Sequence, residues 1–341
     1  MRSVYLLDST LRDGGLGFED AFIHGYSTES FDAQSYNTIL GCLCDAKIDL
    51  IEVGSIEISR DDKRRFAIYN DIRQISDMLP SSKPHAGFAA LYRGPDTPIE
   101  DIPPYDESLC QYVRVILRYS ELRKSLDFCA ALASKGYKVC VQPMLTMRYS
   151  EKELQDVIVA SNNMGAFALY FVDSYGYMDD EDIKYFFDKY DSNLASQIKI
   201  GFHAHNNMNR AFANAIAFIR LAAHRDVIVD SCVMGLGQGA GNLQTELIAD
   251  YMIKKLGKSY GYDAILCACD VIDNICERKG CGYSVMHLLP AINKAAYKYG
   301  VDMRLKRGMT YMDINHVLKN MAYDLKQRYT EANLEMAIKA S

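Results

Sequence analysis

His203 and His205 stand two residues apart in Gly201-Phe-His-Ala-His-Asn-Asn207. On a β-strand a period of two sends both imidazoles to the same side. Two imidazoles on one face, joined by a carboxylate from elsewhere, make half of an octahedral N/O site suited to Mg²⁺, Mn²⁺, Fe²⁺ or Zn²⁺. An isolated His-x-His is more often a pair of satisfied structural histidines, so its position in the fold decides its meaning. The candidate carboxylate is Asp13, in Asp8-Ser-Thr-Leu-Arg-Asp-Gly-Gly15, which follows the apolar run Val4-Tyr5-Leu6-Leu7. Taken singly, Asp13 reads equally well as a turn former ahead of glycine, and Arg12 as half of a surface ion pair. Glu52, in Ile-Glu-Val-Gly, could simply be tied to an Arg or Lys inside the fold.

Two further stretches carry polar groups to strand ends: Asp173-Ser174, and Gly235-Leu-Gly-Gln-Gly-Ala-Gly-Asn242. The second invites a dinucleotide-binding reading, but Asn242 occupies the place of the third glycine counted from Gly237. Such a fingerprint also belongs in an early βαβ unit. The loop is better read as one that lets backbone approach a metal or substrate closely, with Asn242 as a neutral oxygen ligand.

These residues need elements to gather them. Short β-rich runs at 4–9, 50–54, 84–91, 112–117, 138–144, 168–173, 198–205 and 227–234 alternate with stretches whose apolar residues recur at helical spacing, one of them opened by a capping box at Ser150-Glu-Lys-Glu153. Eight strands each followed by a helix is the count of a (β/α)8 TIM barrel, whose active sites lie at the C-terminal strand ends. A doubly wound open sheet is the competitor and usually has fewer strands. In the barrel, Arg12, Asp13, Glu52, Asp173, His203 and Asn242 converge on one rim. Beyond residue 260 the alternation stops, and 263–277, 284–299 and 310–340 read as helices. The expected organisation is a catalytic barrel over 1–260 and a helical extension over 261–341. The Pro-rich run from Gly94 to Pro104 reads as a loop after the third strand.

Composition narrows the classes. The chain has 341 residues, 49% of them apolar, and a net charge of −6. Its charges are mixed along the chain, which argues against a nucleic-acid or anionic-membrane surface. The densest run, Arg60-Asp-Asp-Lys-Arg-Arg65, mixes signs and reads as the solvated start of a helix. No stretch has the roughly 18 consecutive apolar residues of a membrane span, and Asp8 and Arg12 interrupt any signal-peptide core. A soluble cytoplasmic protein is expected, with its ten cysteines reduced. Cys267, Cys269, Cys276 and Cys281 match no common metal spacing.

The motifs Thr10-Leu-Arg-Asp-Gly14, Ile51-Glu-Val-Gly54, Val172-Asp-Ser174, Gly201-Phe-His-Ala-His-Asn206 and Gly239-Ala-Gly-Asn242, in that order, resemble the metal-dependent barrel lyases and aldolases. That group includes 3-hydroxy-3-methylglutaryl-CoA (HMG-CoA) lyase, 4-hydroxy-2-oxovalerate aldolase and the isopropylmalate synthases; the wording is most similar to the hydroxy-oxovalerate aldolases. The resemblance implies a divalent metal, Mn²⁺ or Mg²⁺ with Zn²⁺ or Co²⁺ as alternatives, on Asp13, His203 and His205, with Asn242 a ligand in some members. It implies Arg12 as the catalytic arginine, Glu52 as its paired glutamate, and a supporting part for Asp8. Ser174 is a candidate for binding the substrate carboxylate.

Two places depart from the pattern. Leu16 stands where the hydroxy-oxovalerate aldolases carry an acid/base histidine, and Gln238 stands in the glycine-rich loop where the HMG-CoA lyases carry a cysteine. His24, in the long segment before the first helix, becomes the candidate base. The expected activity is cleavage or formation of a C–C bond next to a 2-oxo acid, with pyruvate as product. The alternatives are an acyl-CoA-condensing synthase, a metal-binding barrel without its base, and, most remote, a nicotinamide-dependent dehydrogenase. A homodimer and an acylating dehydrogenase are the partners the resemblance suggests.

Overall fold

The structure, a computed structural model, describes residues 2–17, 31–58, 68–80, 85–275 and 282–341. Eight parallel strands form the barrel: β1 Val4–Asp8, β2 Leu50–Ile56, β3 Gly87–Tyr92, β4 Tyr112–Leu117, β5 Lys138–Pro143, β6 Ala168–Asp173, β7 Lys199–Ala204 and β8 Val227–Ser231. Each pairs with the next, β8 pairs with β1 along its whole length, and the sheet closes through Leu7↔Leu50 and Asp8↔Ile51. A two-residue strand, Ile68–Tyr69, adds to the outer end of β2. The predicted (β/α)8 architecture is the one observed.

The period-two alternation of each strand divides its side chains between two cores. In β6, Ala168, Tyr170 and Val172 join Leu7, Leu50, Cys140 and Ile228 inside the barrel. Leu169 and Phe171 point outward into the core between barrel and helices. There Phe171 packs against Phe186, Tyr190, Phe202 and Phe218, with ring centroids 4.9–6.0 Å apart. The helices that cover this surface are α1 Ala33–Asp45, α2 Ile72–Ser76, α3 Leu122–Ser134, α4 Glu151–Met164, α5 Asp180–Asn193, α6 Ala211–Leu221 and α7 Thr245–Leu256. The capping box at Ser150 and Glu153 opens α4 as expected, and Asp179 with Asp182 makes another at α5.

One expected helix is missing among the described residues. After β3 there is only a single 3₁₀ turn, Ile99–Asp101. Pro98, Pro103 and Pro104 bracket it, and their lack of backbone N–H keeps a helix from propagating.

The C-terminal region holds α8 Tyr262–Ile275, α9 Val285–Ile292, α10 Lys298–Val301, α11 Tyr311–Asn320, α12 Tyr323–Lys326 and α13 Glu331–Ala340. Helix α8 sends Ile265, Ala268 and Ile272 into the barrel's outer core beside α1. A separate core begins at Leu289 and gathers Ala295, Tyr299, Met303, Ile314, Leu318 and Leu334. The two long helices expected over 284–299 and 310–340 are each broken. Lys294, left-handed at φ 54°, ends the first. In the second, extended backbone at Met321 and Ala322 stops α11, and Thr330 opens a new N-cap by accepting from the Asn333 amide. No described helix is long and apolar enough to cross a membrane.

Phe171 is the hub of the aromatic cluster, so Phe171→Ala is expected to destabilise the fold by about 3–5 kcal/mol, read as a lower urea midpoint with an unchanged m-value.

Candidate active site

Strand β1 ends in a π-helical turn, Thr10–Gly14, whose five residues are all buried. Asp8 holds that turn: Oδ1 accepts from the Thr10 amide and Oδ2 from the Thr245 hydroxyl, while Thr10 Oγ1 in turn accepts from the Val233 amide. Burial lifts the Asp8 carboxyl to about 6, against the hydrogen bonds that lower it. Asp8 therefore ties the ends of β1 and β8 to the start of α7. The turn delivers Arg12 and Asp13 to the barrel mouth.

There Asp13, His203 and His205 bring one ligand atom each to within 4.8 Å of one another. His203 Nε2 lies 3.6 Å from Asp13 Oδ2, and its Nδ1 lies 2.9 Å from Asp230 Oδ2. The backbone of Gln238 lies close enough to the ring of His205 to favour its protonated form slightly. His203 thus has one nitrogen engaged by a carboxylate, the pattern by which proteins orient metal-binding histidines. Asn242 donates to Asp13 Oδ2 at 2.5 Å, and its own Oδ1 is buried with no hydrogen-bond partner. An orphaned neutral oxygen beside a carboxylate and two imidazoles fits a divalent cation. The glycine-rich loop makes this approach as expected: a Cβ at Gly237 would lie 2.3 Å from Asn242 Nδ2 and 3.3 Å from Asp13 Oδ2.

Behind the cluster lies a closed ring of charges. Arg12 donates to Asp13 Oδ1 at 2.5 Å and to Glu52 Oε2 at 2.8 Å. Arg114 donates to the same Glu52 oxygen at 2.7 Å and to Asp230 Oδ2, which contacts His203. His203 returns the path to Asp13. Arg114 also stacks over the Tyr170 ring at 5.0 Å and is within reach of the Gln142 side-chain oxygen. Burial alone would push the carboxyls of Asp13 and Asp230 up. The adjacent arginines and His203 outweigh it, and both carboxyls are lowered, Asp13 well below its usual range. Burial disfavours a charged His203, but Asp13 and Asp230 raise its pKa overall. At His205 burial and the neighbouring His203 win, and the pKa falls to about 4.

The cluster lies on the wall of a cavity of about 520 Å³ lined from both barrel and extension. Leu16 lines it and packs against Ile68, so a hydrocarbon does occupy that wall. Ser174 also lines it, its Oγ accepting from the Leu145 amide. Asp173, expected among the converging polar groups, turns away. It accepts from the amides of Tyr177 and Met178, and burial raises its carboxyl to about 7. It shapes the loop that carries Ser174. His24, Cys276, Cys281 and the run from Arg60 to Arg65 lie outside the described residues. Cys267, exposed, and Cys269, half-buried, sit on α8 and belong to no cluster of metal-binding groups among the described residues.

Sequence reasoning missed Arg114, Gln142 and Asp230. The signal was present: each lies two residues beyond an inward-facing residue, Tyr112, Cys140 or Ile228, on its strand. Tyr297 and Arg328, on the cavity's outer wall, were also missed, because they come from the helical extension.

The fold and this pocket define a barrel enzyme whose chemistry is done at the C-terminal strand ends. The chain matches the HMGL-like family over residues 3–268 and belongs to it. A 4-hydroxy-2-oxovalerate aldolase of Thermomicrobium roseum is 29% identical over 258 residues, covering 75% of this chain and 68% of that protein. One from Carboxydothermus hydrogenoformans is 26% identical, covering 96% and 98%. Among solved structures, the HMG-CoA lyase of Pseudomonas aeruginosa superimposes with a TM-score of 0.62 at 16% identity, over 82% of this chain and 95% of that one. The carboxyl transferase domain of Rhizobium etli pyruvate carboxylase, solved with oxalate, gives 0.69 at 14% identity over 99% and 60%. These two show the fold, including the helical extension in the second case. Family and relatives together make this chain a carbon–carbon lyase of the aldolase kind.

Asp230→Asn removes the charge behind His203 and is expected to weaken Mn²⁺ binding about 10- to 100-fold, measured by isothermal titration. His205 and Asp13 are already unprotonated near neutrality, whereas the raised His203 must lose its proton to bind metal. Apparent affinity should therefore fall about tenfold per pH unit below the His203 pKa, with a one-proton slope from near neutrality down to pH 5.

Proposed function

We propose that this aldolase cleaves 4-hydroxy-2-oxo acids to pyruvate and an aldehyde, and runs the reverse addition. The observation that carries the reading is the meeting of Asp13, His203 and His205 beside Arg12 on one cavity wall, with Asn242 hydrogen-bonded to Asp13 behind them. Asp13, His203 and His205, with Asn242 as a further oxygen, would hold a divalent cation, which when bound supplies Lewis-acid stabilisation of negative charge on substrate oxygens.

The remaining work belongs to this chain's own groups. A base takes the proton from the substrate's 4-hydroxyl. The C3–C4 bond breaks as the new aldehyde carbonyl forms, its electron pair passing into the enolate of pyruvate. Protonation at C3 then completes the product. Arg12 faces the developing oxyanion. Its Nε and one terminal nitrogen are committed to Glu52 and Asp13, which leaves the other terminal nitrogen for substrate. Because Glu52 and Asp13 hold the guanidinium in place, it needs no reorganisation as charge develops. Ser174, its oxygen already accepting from Leu145, keeps its hydroxyl hydrogen for the substrate carboxylate.

For the base we favour His24. The chain enters the segment that contains it at the barrel mouth, where a Cβ at Gly17 would meet the Gly237 backbone at 2.8 Å. Leu16 has no proton to exchange.

Chelator treatment should abolish pyruvate release from 4-hydroxy-2-oxovalerate, and Mn²⁺ or Mg²⁺ should restore it. His203→Ala should lose metal and activity together. Turnover unaffected by chelator and by His203→Ala would overturn the reading. His24→Ala should bind metal normally yet lose about 10²–10⁴-fold in kcat; a variant with unchanged kcat would remove His24 from the mechanism.

A further inference from the structure

The outer half of the cavity is cationic beyond what the chemistry at Arg12 requires. Five cationic side chains, Arg12, Arg93, Arg114, Lys298 and Arg328, line it against one carboxylate, Asp13, among the described residues. Arg12 and Arg114 are spent within the buried ring. Arg93 and Arg328 stand outside that ring, Arg93 paired with Glu57 through one terminal nitrogen.

Arg93 follows β3 directly at the rim, held 3.0 Å from Glu57, while its carbonyl accepts from Arg118 Nε at 3.2 Å. Arg328 reaches the cavity from the turn between α12 and α13. Its carbonyl accepts from the Tyr299 hydroxyl at 2.8 Å and from Asn333 Nδ2 at 3.0 Å. The carbonyl of the preceding Gln327 accepts from the Tyr175 hydroxyl at 2.6 Å, which pins this turn to the loop after β6. The extension thus does more than cover the barrel, because it fixes the backbone of an exposed arginine that lines the cavity. Among the described residues Arg328 makes no ion pair of its own.

A 2-oxo acid has one carboxylate, and the inner cavity already provides for it. Guanidiniums at the outer end match a second anion, since their planar donor fork suits carboxylate and phosphate oxygens. We infer that the aldehyde half of the substrate carries an anionic group, a carboxylate or a phosphate, received by Arg93 and Arg328. This rests on the aldolase reading and narrows its substrate class. The named substrate of the relatives, 4-hydroxy-2-oxovalerate, ends instead in an uncharged methyl group. Binding energy gained at the remote anion is available to orient the reacting carbonyl. In the synthetic direction C3 of pyruvate gives up a proton to the base and bonds to the aldehyde carbon. The aldehyde oxygen takes the proton, so no other reactant is needed.

The test uses the metal-loaded full chain, with pyruvate and three aldehydes: acetaldehyde (neutral), glyoxylate (carboxylate) and D-glyceraldehyde 3-phosphate (phosphate). Glyoxylate is intrinsically the more electrophilic, so the deciding quantity is how selectivity changes with the arginines. In the wild type, kcat/KM for at least one anionic aldehyde should exceed that for acetaldehyde. In Arg328→Glu that ratio should fall about tenfold or more through KM, with Arg93→Gln moving it in the same direction. Preference for glyoxylate alone assigns a carboxylate, and preference for the phosphate alone assigns a phosphate. Equal preference assigns either anion to the same pair. Acetaldehyde matching or beating both anions, or a ratio unmoved in both variants, overturns the inference while leaving the aldolase intact. Failure of all three aldehydes to condense, with no cleavage of 4-hydroxy-2-oxovalerate, removes the aldolase reading and this one with it.

Discussion

The ring Asp13–Arg12–Glu52–Arg114–Asp230–His203 is the constraint on which the upper barrel depends. Each member is buried, and three of them, Glu52, Arg114 and Asp230, sit at essentially zero exposure. Taking such charges out of water costs several kcal/mol per ion, and a well-packed apolar core would often be at least as stable. What a paired ring supplies is geometry. Arg12 cannot rotate without breaking contacts to both Glu52 and Asp13, and His203 cannot turn without leaving Asp230. The strands supply the members in order: Glu52 from β2, Arg114 from β4, His203 from β7 and Asp230 from β8, with the turn after β1 closing the circle. An inward-facing apolar layer of Leu7, Leu50, Cys140, Tyr170 and Ile228 lies one step below and seals the ring from the opposite end of the barrel.

The barrel was legible because strand count and helical spacing are local properties, repeated eight times. The cluster was legible because its members occur in distinctive strings: His-x-His on a strand, Arg-Asp-Gly after one, and Asn after a run of glycines. Arg114 and Asp230 stood in view as single charges inside apolar strands. An inward-facing charge declares its purpose only when its partner across the barrel is known, and that partner is some 60 or 116 residues away. The extension was the least legible part. Its helices break at Lys294 and near Met321, where no proline or glycine stands. Left-handed or extended backbone at such positions is set by how the second core packs, and helical periodicity does not record it.

Leu16 has a different meaning once the pocket is in view. A hydrocarbon beside Ile68 on the cavity wall lowers the local dielectric near Arg12 and Asp13, which strengthens each charge contact there. A hydrocarbon side chain has no proton to exchange, so Leu16 shapes this wall without acting as acid or base. The extension brings Tyr297, Lys298 and Arg328 to the same cavity.

The charge balance of the ring bears on what the cluster will accept. Two guanidiniums face three carboxylates, so with both imidazoles neutral the assembly carries one net negative charge. Glu52 Oε1 and Asp230 Oδ1 have no partner of their own, so the deficit is not hidden by further hydrogen bonds. A divalent cation reverses the sign to one net positive charge. The count of arginines and carboxylates, fixed by residues on three different strands and one turn, thus gives the cluster a charge that a divalent cation complements.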